Sequence, residues 1–596
     1  MGLFQKAVET YDCNQNLVGV SKEGSEILAP ISHTLARANI EITLDKDGLF
    51  RAARLIDKKE PRVVVPVTEN SLGRVGGTIF PHPLCDQIKY LAPYGQESYE
   101  QYLKQLKEWK DSEFTHPILQ AVYKYIDFKS IVDDLSRLNL IKLDKEGKPS
   151  DEKTFICWRV IGFDNDTEPC SYLNKDLFNL FINFYNKKIQ SHNKNICFVN
   201  GNYIPLAEQH PKGIISRTAN AKIISSNNPN RFTYKGRFEE AWQAVTISYE
   251  ASQKAHNALK WLISNQSVSF YSGDRTFLCW NPQGIKIPSP RFTFRANKEP
   301  KYKPSDYKDN LMATLLDFKK DNQLKGNEIA VIAFFDAATT GRLSLTNYNE
   351  QTLEDFLNHQ KTWEEYCCWY SKFGIISPNL LNIISCAFGT LRNGKLEVDD
   401  KVQGQHLQRL LNAKLNGGNI PIDFVKALTE RASMPLAFDK NVWEQITETA
   451  CAVLQKYRKD INQGGNEMAW ELTKPERSFQ FGRLLAVLDR AEADFYGKTG
   501  EDRQTNAIKF MNEFRRRPWH VYERVNRMLH QAYLPRIENW QRIRYEKLTG
   551  EITTIIGSFP ENELNEPLND LYLMGYQLQR NDFFKKSEKN EMEGNK

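Results

Sequence analysis

Successive helical patterns separated by short joints fill the C-terminal end of this 596-residue chain. Apolar residues recur at the spacing of one helix face in 479–495 and again in 537–556, and glycine or proline interrupts the pattern between such segments. Helices joined by short connections pack antiparallel beside one another. We therefore predict an all-α helical bundle over residues 466–596, with Trp540 and Leu548 facing its interior.

The N-terminal part of the chain carries strand patterns instead. Residues 40–50 alternate around a turn, and residues 62–68 are rich in β-branched side chains. One core cannot serve so long a chain, so we expect three regions. These are a mixed α/β region with antiparallel strands at 1–325, a mostly helical middle region at 326–465 and the bundle at 466–596. The predicted fold class is α+β.

A long segment without any acidic residue lies at 209–238 and contains six lysines and arginines. Cations neutralise phosphates, while amides and hydroxyls bond to backbone oxygens or base edges. A helical pattern follows, which would give the segment a packed support. The candidate nucleic-acid-binding residues are Lys212, Arg217, Asn220, Lys222, Ser225, Asn227, Arg231, Lys235 and Arg237. The alternative is a solvated surface loop that happens to lack acids.

A glycine-rich stretch at 69–77 carries a second candidate contact with nucleic acid. Its small residues let the backbone approach a ligand closely, and it offers one cation. The candidate residues are Asn70, Ser71 and Arg74. The alternative is a flexible connector between two strands.

The predicted bundle has a basic stretch of its own. Residues 503–547 hold eleven lysines and arginines but four acidic residues. We expect the arginines to form a basic wall on the bundle, with Arg515, Arg516, Arg517, Arg524 and Arg527 among its members. Ordinary solvated helix exteriors are the alternative.

Catalytic and cofactor motifs are absent from the sequence. It contains no G-x-S-x-G, H-E-x-x-H or G-x-G-x-x-G, and Glu492 stands where a P-loop ending at Gly497-Lys498-Thr499 would need glycine. None of the ten cysteines forms a C-x-x-C pair, so neither a zinc finger nor a disulfide framework is indicated. We expect a binding protein without catalytic residues, cofactor or metal.

The longest apolar runs are far too short to span a bilayer, and the N-terminus has no apolar signal core. Scattered free cysteines suit a reducing compartment. The expected location is the cytoplasm, without membrane contact.

Four segments resemble a known family. Residues 221–229 (AKIISSNNP) and the helical segment 243–262 look like the large subunit of the type I-C CRISPR effector complex, Cascade. Residues 481–488 (FGRLLAVL) and 575–580 (GYQLQR) are similar to the C-terminal region of that subunit. The resemblance spans nearly the whole chain.

The resemblance implies a subunit without enzymatic activity that recognises the PAM, a short duplex motif beside the target, and leaves the rest of the sequence to guide pairing. It would aid unwinding and R-loop formation, hold the displaced strand and recruit a helicase-nuclease in trans. It implies PAM or duplex contacts by Asn70, Ser71 and Arg74 and duplex or strand contacts by the segment from Lys212 to Arg237. The arginines of the bundle would line the path of the displaced strand. One departure from the family lies in residues 70–86 (NSLGRVGGTIFPHPLCD). Arg74 follows Gly73 here, whereas the family usually has the basic residue before the glycine.

The implied partners are the guide CRISPR RNA, the double-stranded DNA target, the Cascade backbone subunits, the guide-processing subunit and small subunits. The family also tends to make its small subunit from an internal start. Gly464-Gly465 can be encoded by a purine-rich ribosome-binding run, and Met468 follows at a suitable spacing. We predict a second product covering 468–596. A glycine linker with an incidental methionine is the alternative.

Two other functions remain open from the residues alone. One is a metal-dependent nuclease that uses dispersed carboxylates. The other is a structural RNA-binding protein outside CRISPR, which would bind RNA tightly and ignore duplex DNA.

Overall fold

The computed structural model describes residues 2–594 except 23, 75–77, 164–166, 216–217, 219, 226–237, 267, 271–274, 286–327, 338–340, 372–373, 462–471 and 473. These residues group into two compact units. The first comprises the described residues of Met1–Ser289 and Ile329–Gln351, and the second comprises those of Pro290–Glu328 and Thr352–Lys596.

The first unit combines helices with small sheets. Its helices are α1 (Leu3–Cys13), α2 (Glu69–Gly73), α3 (Ile88–Leu91), α4 (Gln96–Lys110), α5 (Pro117–Asp127), α6 (Ile131–Arg137), α7 (Lys175–Ile189), α8 (Ala241–Ala244) and α9 (Tyr249–Gln266). Its strands are β1 (His33–Ala36), β2 (Ile40–Asp45), β3 (Phe50–Leu55), β4 (Val63–Pro66), β5 (Ile156–Ile161), β6 (Lys194–Ile196), β7 (Tyr203–Pro205), β8 (Val268–Phe270), β9 (Arg275–Trp280), β10 (Ile329–Ala337) and β11 (Leu343–Thr352).

The strands of this unit form four sheets within the described residues. Strand β2 pairs antiparallel with β3 and parallel with β5, while β1–β4 and β6–β7 are antiparallel pairs. The fourth sheet has the order β11-β10-β9-β8. Strands β10 and β11 fall within the predicted middle region, 326–465, but β10 pairs with β9 of the first unit.

The larger core of the first unit packs α4 and α5 against the β2–β5 sheet. The inward side chains of β2 are fully buried, as the alternating pattern predicts. Trp158 Nε1 and the Tyr102 hydroxyl both donate hydrogen bonds to the carbonyl oxygen of Leu84, at 2.9 and 2.7 Å. These two bonds fix the segment that carries Asp86, a residue of the candidate site.

A second core joins α1 and α9 to the β9–β10 strands. Ala255 and Leu259 of α9 are fully buried there, and Tyr249, Leu262 and Ile263 are also buried. The apolar face predicted for this helix from its spacing is therefore confirmed. The described residues of the candidate segment 209–225 precede α9 and pack on this second core through Ile214, Ile215 and Ala221.

The second unit is mainly helical. Its helices are α10 (Leu353–Tyr366), α11 (Leu380–Phe388), α12 (Asp400–Leu415), α13 (Ile422–Ala432), α14 (Lys440–Asp460), α15 (Arg477–Thr499), α16 (Asn506–Lys509), α17 (Met511–Arg516), α18 (Pro518–Met528), α19 (Asn539–Ile556) and α20 (Leu571–Gly594). Two antiparallel pairs accompany them, β12 (Trp369–Ser371) with β13 (Gly374–Ile376) and β14 (Thr390–Arg392) with β15 (Lys395–Glu397). The predicted α+β fold class is confirmed.

Helices α15 and α20 cross at two glycines. A Cβ atom added to Gly482 would lie 1.9 Å from the carbonyl oxygen of Tyr572, and one added to Gly575 would lie 2.1 Å from that of Phe479. No side chain larger than hydrogen fits at such separations. Gly482 and Gly575 belong to the two C-terminal segments that carry the family resemblance, so part of that resemblance reflects helix packing.

The inward face predicted for α19 is wrong at Trp540, which is 60% exposed. The helix buries Tyr545, Ile552 and Ile556 instead. The Tyr545 hydroxyl donates a hydrogen bond to Asp494 of α15, which fixes that face of α19 against the bundle. No helix among the described residues is both long and apolar enough to cross a membrane.

Candidate nucleic-acid interface

Ser71 lies inside the short helix α2 and is used to cap it. Its amide donates to Thr68 Oγ1 at 3.1 Å, and its hydroxyl oxygen accepts from the Thr68 amide at 2.9 Å. This reciprocal pair satisfies donors that a helix start would otherwise leave without partners. The Ser71 side chain is buried and also lies 3.0 Å from His82 Nδ1. Ser71 therefore holds the α2 segment in place through its buried hydrogen bonds.

Arg74 is held by a buried carboxylate. Its Nη1 and Nη2 donate to Asp86 Oδ2 and Oδ1 at 2.7 and 2.6 Å, and Nη1 also donates to the carbonyl oxygen of Phe80 at 3.0 Å. The guanidinium lies over the Tyr90 ring, 4.8 Å from its centroid. Asp86 is fully buried, so Arg74 neutralises a charge that has left water. These interactions give Arg74 a structural role at the end of α2.

Asn70 is the exposed member of the three residues predicted in this segment. Its Oδ1 accepts a hydrogen bond from Gln209 Nε2 at 3.1 Å. Its side-chain nitrogen donates no hydrogen bond to another residue in the described part of the chain. The side chain therefore presents a donor to solvent, held at a fixed orientation by its oxygen.

Lys212 joins the acid-free segment to α2. Its ammonium donates to the carbonyl oxygen of Arg74 at 2.8 Å and reaches that of Gly73 at 3.5 Å. Burial lowers the pKa of Lys212, and the positive charges of Lys222 and Arg74 lower it further. These three cations therefore share one electrostatic neighbourhood, and the 69–74 and 209–222 segments meet there.

Lys222 is fixed through its main chain. Its amide donates to the carbonyl oxygen of Gly341 at 3.1 Å, and its own carbonyl accepts from the Leu343 amide at 2.9 Å. Lys222 is half-buried, and its ammonium forms no ion pair with any residue that the structure describes. Burial lowers the pKa of Lys222. An ammonium that is partly desolvated and not neutralised attracts an anion more strongly than a solvated one.

Two histidines lie beside Lys222, His256 fully buried and His210 half-buried. Burial, followed by the charges of His256 and Lys222, lowers the pKa of His210 to about 3. Burial also lowers the pKa of His256 to about 4. His210 Nδ1 lies 2.9 Å from Ser252 Oγ on α9. Both rings are therefore neutral at pH 7, and they support the lysine without adding charge.

The remaining residues predicted in the acid-free segment divide by position. Asn220 is exposed and Ser225 is half-buried. Arg217, Asn227, Arg231, Lys235 and Arg237 lie outside the described residues, and so does the predicted internal start Met468. Their roles stay predictions.

The arginines of the predicted basic wall lie around the junction of α17 and α18. Arg516, Arg517, Arg524 and Arg527 are exposed, and Arg515 is half-buried. None of the five forms an ion pair with another described residue, unlike Arg409, which is paired with Asp423 at 2.5 Å. The Arg524 guanidinium lies over the Phe510 ring at 4.3 Å. The described part of the wall is an unneutralised cationic surface.

Sequence reasoning did not assign roles to Asp86 or Gln209. Asp86 stands twelve positions after Arg74, and nothing in the local pattern marks it as buried. Gln209 begins the acid-free segment. Its hydrogen bond to Asn70 spans 139 positions, so the local sequence does not indicate it. One group of side chains in the described ranges also converges closely enough to hold a metal ion, Glu69, His192 and Glu208. No metal site is predicted from the sequence.

Residues 8–584 match the family described as CRISPR-associated protein (Cas_Csd1). No curated protein matches the chain. The matched residues cover both compact units and include the α2 segment, the 209–222 segment and the arginines around α17 and α18. With nearly its whole length matched, this chain belongs to the Cas_Csd1 family of CRISPR-associated proteins.

Proposed function

We propose that the protein is the large subunit of a type I-C CRISPR effector complex and recognises the PAM in duplex DNA without catalysing a reaction. Membership of the CRISPR-associated family supports this assignment. So does the resemblance of the 221–229 and 243–262 segments to that subunit.

The observation that carries the proposal is the joining of the Asn70 segment to the segment that carries Lys212 and Lys222, through Gln209 and Lys212. An exposed amide donor lies on one segment, and two lysines that pair with no described carboxylate lie on the other, with Lys212 bonded to the end of α2. Base reading needs a positioned polar group, and duplex affinity needs cations for phosphates. This region provides both.

The proposed division of labour follows from these interactions. Asn70 touches a base edge, while Ser71 and Arg74 position its segment from inside. Lys212 and Lys222 bind phosphates, together with the rest of the 209–238 segment. Because Asn70 Oδ1 already accepts a bond from Gln209, its side-chain donor fits an acceptor on the base pair, such as purine N7.

The arginines around α17 and α18 hold the displaced strand in this proposal. Single strands bind along cationic grooves without sequence preference. The protein thereby aids duplex opening and R-loop formation, and a helicase-nuclease recruited in trans cleaves the target. Guide CRISPR RNA, backbone subunits, the guide-processing subunit and small subunits complete the assembly.

Selection from a duplex library tests the proposal. The complex is reconstituted with guide RNA and offered targets with randomised flanking positions, and the bound fraction is sequenced. The wild type should enrich one flanking motif. Asn70→Asp, which keeps the shape but removes the donor, should lose discrimination at one position by about 1–3 kcal/mol.

Asn179→Asp is the matched control, because Asn179 is exposed on α7 and the substitution adds the same charge to the same unit. It should leave the motif unchanged. A wild-type complex that binds guide-matched targets with no flanking preference would contradict PAM recognition. An unaltered motif in Asn70→Asp would remove Asn70 from the base contact.

A further inference from the structure

Glu69, His192 and Glu208 converge on one point of the first unit, although they come from distant parts of the chain. One potential ligand atom from each lies within 4.8 Å of the others. His192 Nδ1 is 3.7 Å from Glu69 Oε2, and His192 Nε2 is 3.9 Å from Glu208 Oε1. The group combines one imidazole with two carboxylates.

The fold orients Glu69 toward this point. Its Oε1 accepts hydrogen bonds from the amides of Glu208 and Gln209 at 3.0 and 3.1 Å, which leaves Oε2 toward His192. The side chain is 4% exposed. Among the described residues, no lysine or arginine forms an ion pair with it. Desolvation, partly offset by the hydrogen bond from Gln209, raises the pKa of Glu69 to about 7.

We propose that Glu69, His192 and Glu208 bind one divalent transition-metal ion of the Zn²⁺ or Co²⁺ type. Imidazole nitrogen with carboxylate oxygen suits these ions, whereas Mg²⁺ prefers oxygen ligands and water. Three protein ligands also leave one coordination position for water.

The ligand atoms must draw together to hold one ion. Metal–ligand bonds of about 2.0–2.1 Å place tetrahedral ligands about 3.3 Å apart. The three candidate ligand atoms, only one of them a ring nitrogen of His192, lie within 4.8 Å of one another. Glu208 is 63% exposed, so its carboxylate is free to swing inward. Glu69 needs no such movement because two amides already orient it.

The surroundings also resemble the outer shell of hydrogen bonds around metal sites. Ligating carboxylates and imidazoles in proteins are held by further hydrogen bonds. The amides of Glu208 and Gln209 supply them to Glu69, and His192 Nδ1 lies 3.4 Å from the carbonyl oxygen of Leu206.

A bound ion would tie α2 to the 206–209 segment. Glu69 directly precedes Asn70, and Gln209 directly follows Glu208 and holds the Asn70 side chain. The ion would therefore fix the residue proposed to read the PAM. This coupling to DNA rests on the proposed function, whereas metal binding itself does not.

Direct titration tests the site. The full chain, freed of affinity tags and stripped of metal by a chelator, is titrated with Co²⁺ and followed by visible absorption, then with Zn²⁺ by calorimetry. We expect one equivalent of binding. His192→Gln and Glu208→Gln should each weaken the affinity by about 10-fold or more.

His530→Gln is the control, because His530 is exposed and lies in the second unit. It should bind as the wild type does. Circular dichroism confirms that each variant is folded. Glu69→Gln is not used for this purpose, because Glu69 accepts two main-chain bonds and its loss affects folding.

Absence of binding to the wild type would overturn the proposal. So would an affinity of His192→Gln and Glu208→Gln equal to that of the wild type. Wild-type affinity in the two variants would show that the ion sits elsewhere, and absence of binding would show that the cluster holds no ion. A second experiment measures the dissociation of bound duplex from the protein with and without Zn²⁺. One equivalent of binding with unchanged dissociation would support the site and overturn its coupling to DNA.

Discussion

Arg74 and Asp86 form a two-point ion pair, in which the terminal nitrogens Nη1 and Nη2 lie within 2.7 Å of a carboxylate that is fully buried. Removing one partner leaves the other charge in a site that water does not reach. The pair therefore ties the exposed Asn70 segment to the folding of the first unit.

We predict that Arg74→Ala destabilises the first unit by about 3–5 kcal/mol, the usual loss when a buried pair is broken. Denaturant unfolding of the isolated chain measures it. Arg137→Ala is the control, because Arg137 is 69% exposed beside Asp134 and its loss should cost about 1 kcal/mol or less. Equal effects of the two substitutions would show that burial of Asp86 does not set the energy.

Charge reversal at Lys222 should weaken duplex binding and reduce its dependence on salt. Removing one phosphate interaction lowers the slope of log K against log salt by about 1. Fluorescence anisotropy at several salt concentrations measures both quantities for Lys222→Glu. Lys104→Glu makes the same change on the exposed face of α4 and should leave the slope near the wild-type value. Parallel salt dependences for all three proteins would exclude a phosphate interaction at Lys222.

The arginines around α17 and α18 should act on single strands. The double variant Arg516→Glu with Arg517→Glu removes two exposed cations that lack partners among the described residues. We expect the affinity of the complex for PAM-containing duplex to change little and the displaced strand to become more reactive. Permanganate footprinting of unpaired thymines measures this. An unchanged footprint would show that the strand runs elsewhere.

The glycine crossing of α15 and α20 should not tolerate alanine. Gly482→Ala and Gly575→Ala place a methyl group against main-chain oxygens, so we expect each to destabilise the second unit by about 1–3 kcal/mol or more. Gly497→Ala is a control on the same helix, since a Cβ there meets nothing within 4 Å. It should stabilise the helix by up to about 1 kcal/mol. Thermal melting of the three variants separates the outcomes.

Acid should destabilise the first unit before most carboxylates become protonated. Burial lowers the pKa of His33, His82 and His256 to about 4 and that of His210 to about 3, from 6.5. The unfolded chain therefore binds more protons below pH 6.5, and stability present above that pH is lost as the pH falls toward 4. Unfolding measured between pH 7 and 5 should show this loss, and His33→Gln should reduce its slope. A flat profile would contradict the buried neutral state.

Local patterns predicted the supports of the candidate site better than its side-chain pairings. The buried face of α9 follows from helical spacing alone. The strand near residue 40 follows from side-chain alternation, and the strand near residue 62 follows from its β-branched residues. The partners of Arg74 could not be predicted, because the neighbouring residues in the sequence do not determine whether a single arginine is exposed or buried. Glu69 and Glu208 are 139 positions apart, so only the fold brings them together. At Trp540, spacing allowed two faces of α19, and the bond from Tyr545 to Asp494 selects the other one.

Lys222 is bonded on both sides to the segment that begins β11, through the Gly341 oxygen and the Leu343 amide. Both main-chain hydrogen-bonding groups of Lys222 are thus already paired in the absence of a ligand. Ordering a mobile loop residue costs about 1–2 kcal/mol of backbone entropy. Folding has already ordered the backbone of Lys222, so a ligand does not have to. The sheet therefore supports Lys222, and a polyanion can bind its ammonium without a further loss of backbone entropy at that residue.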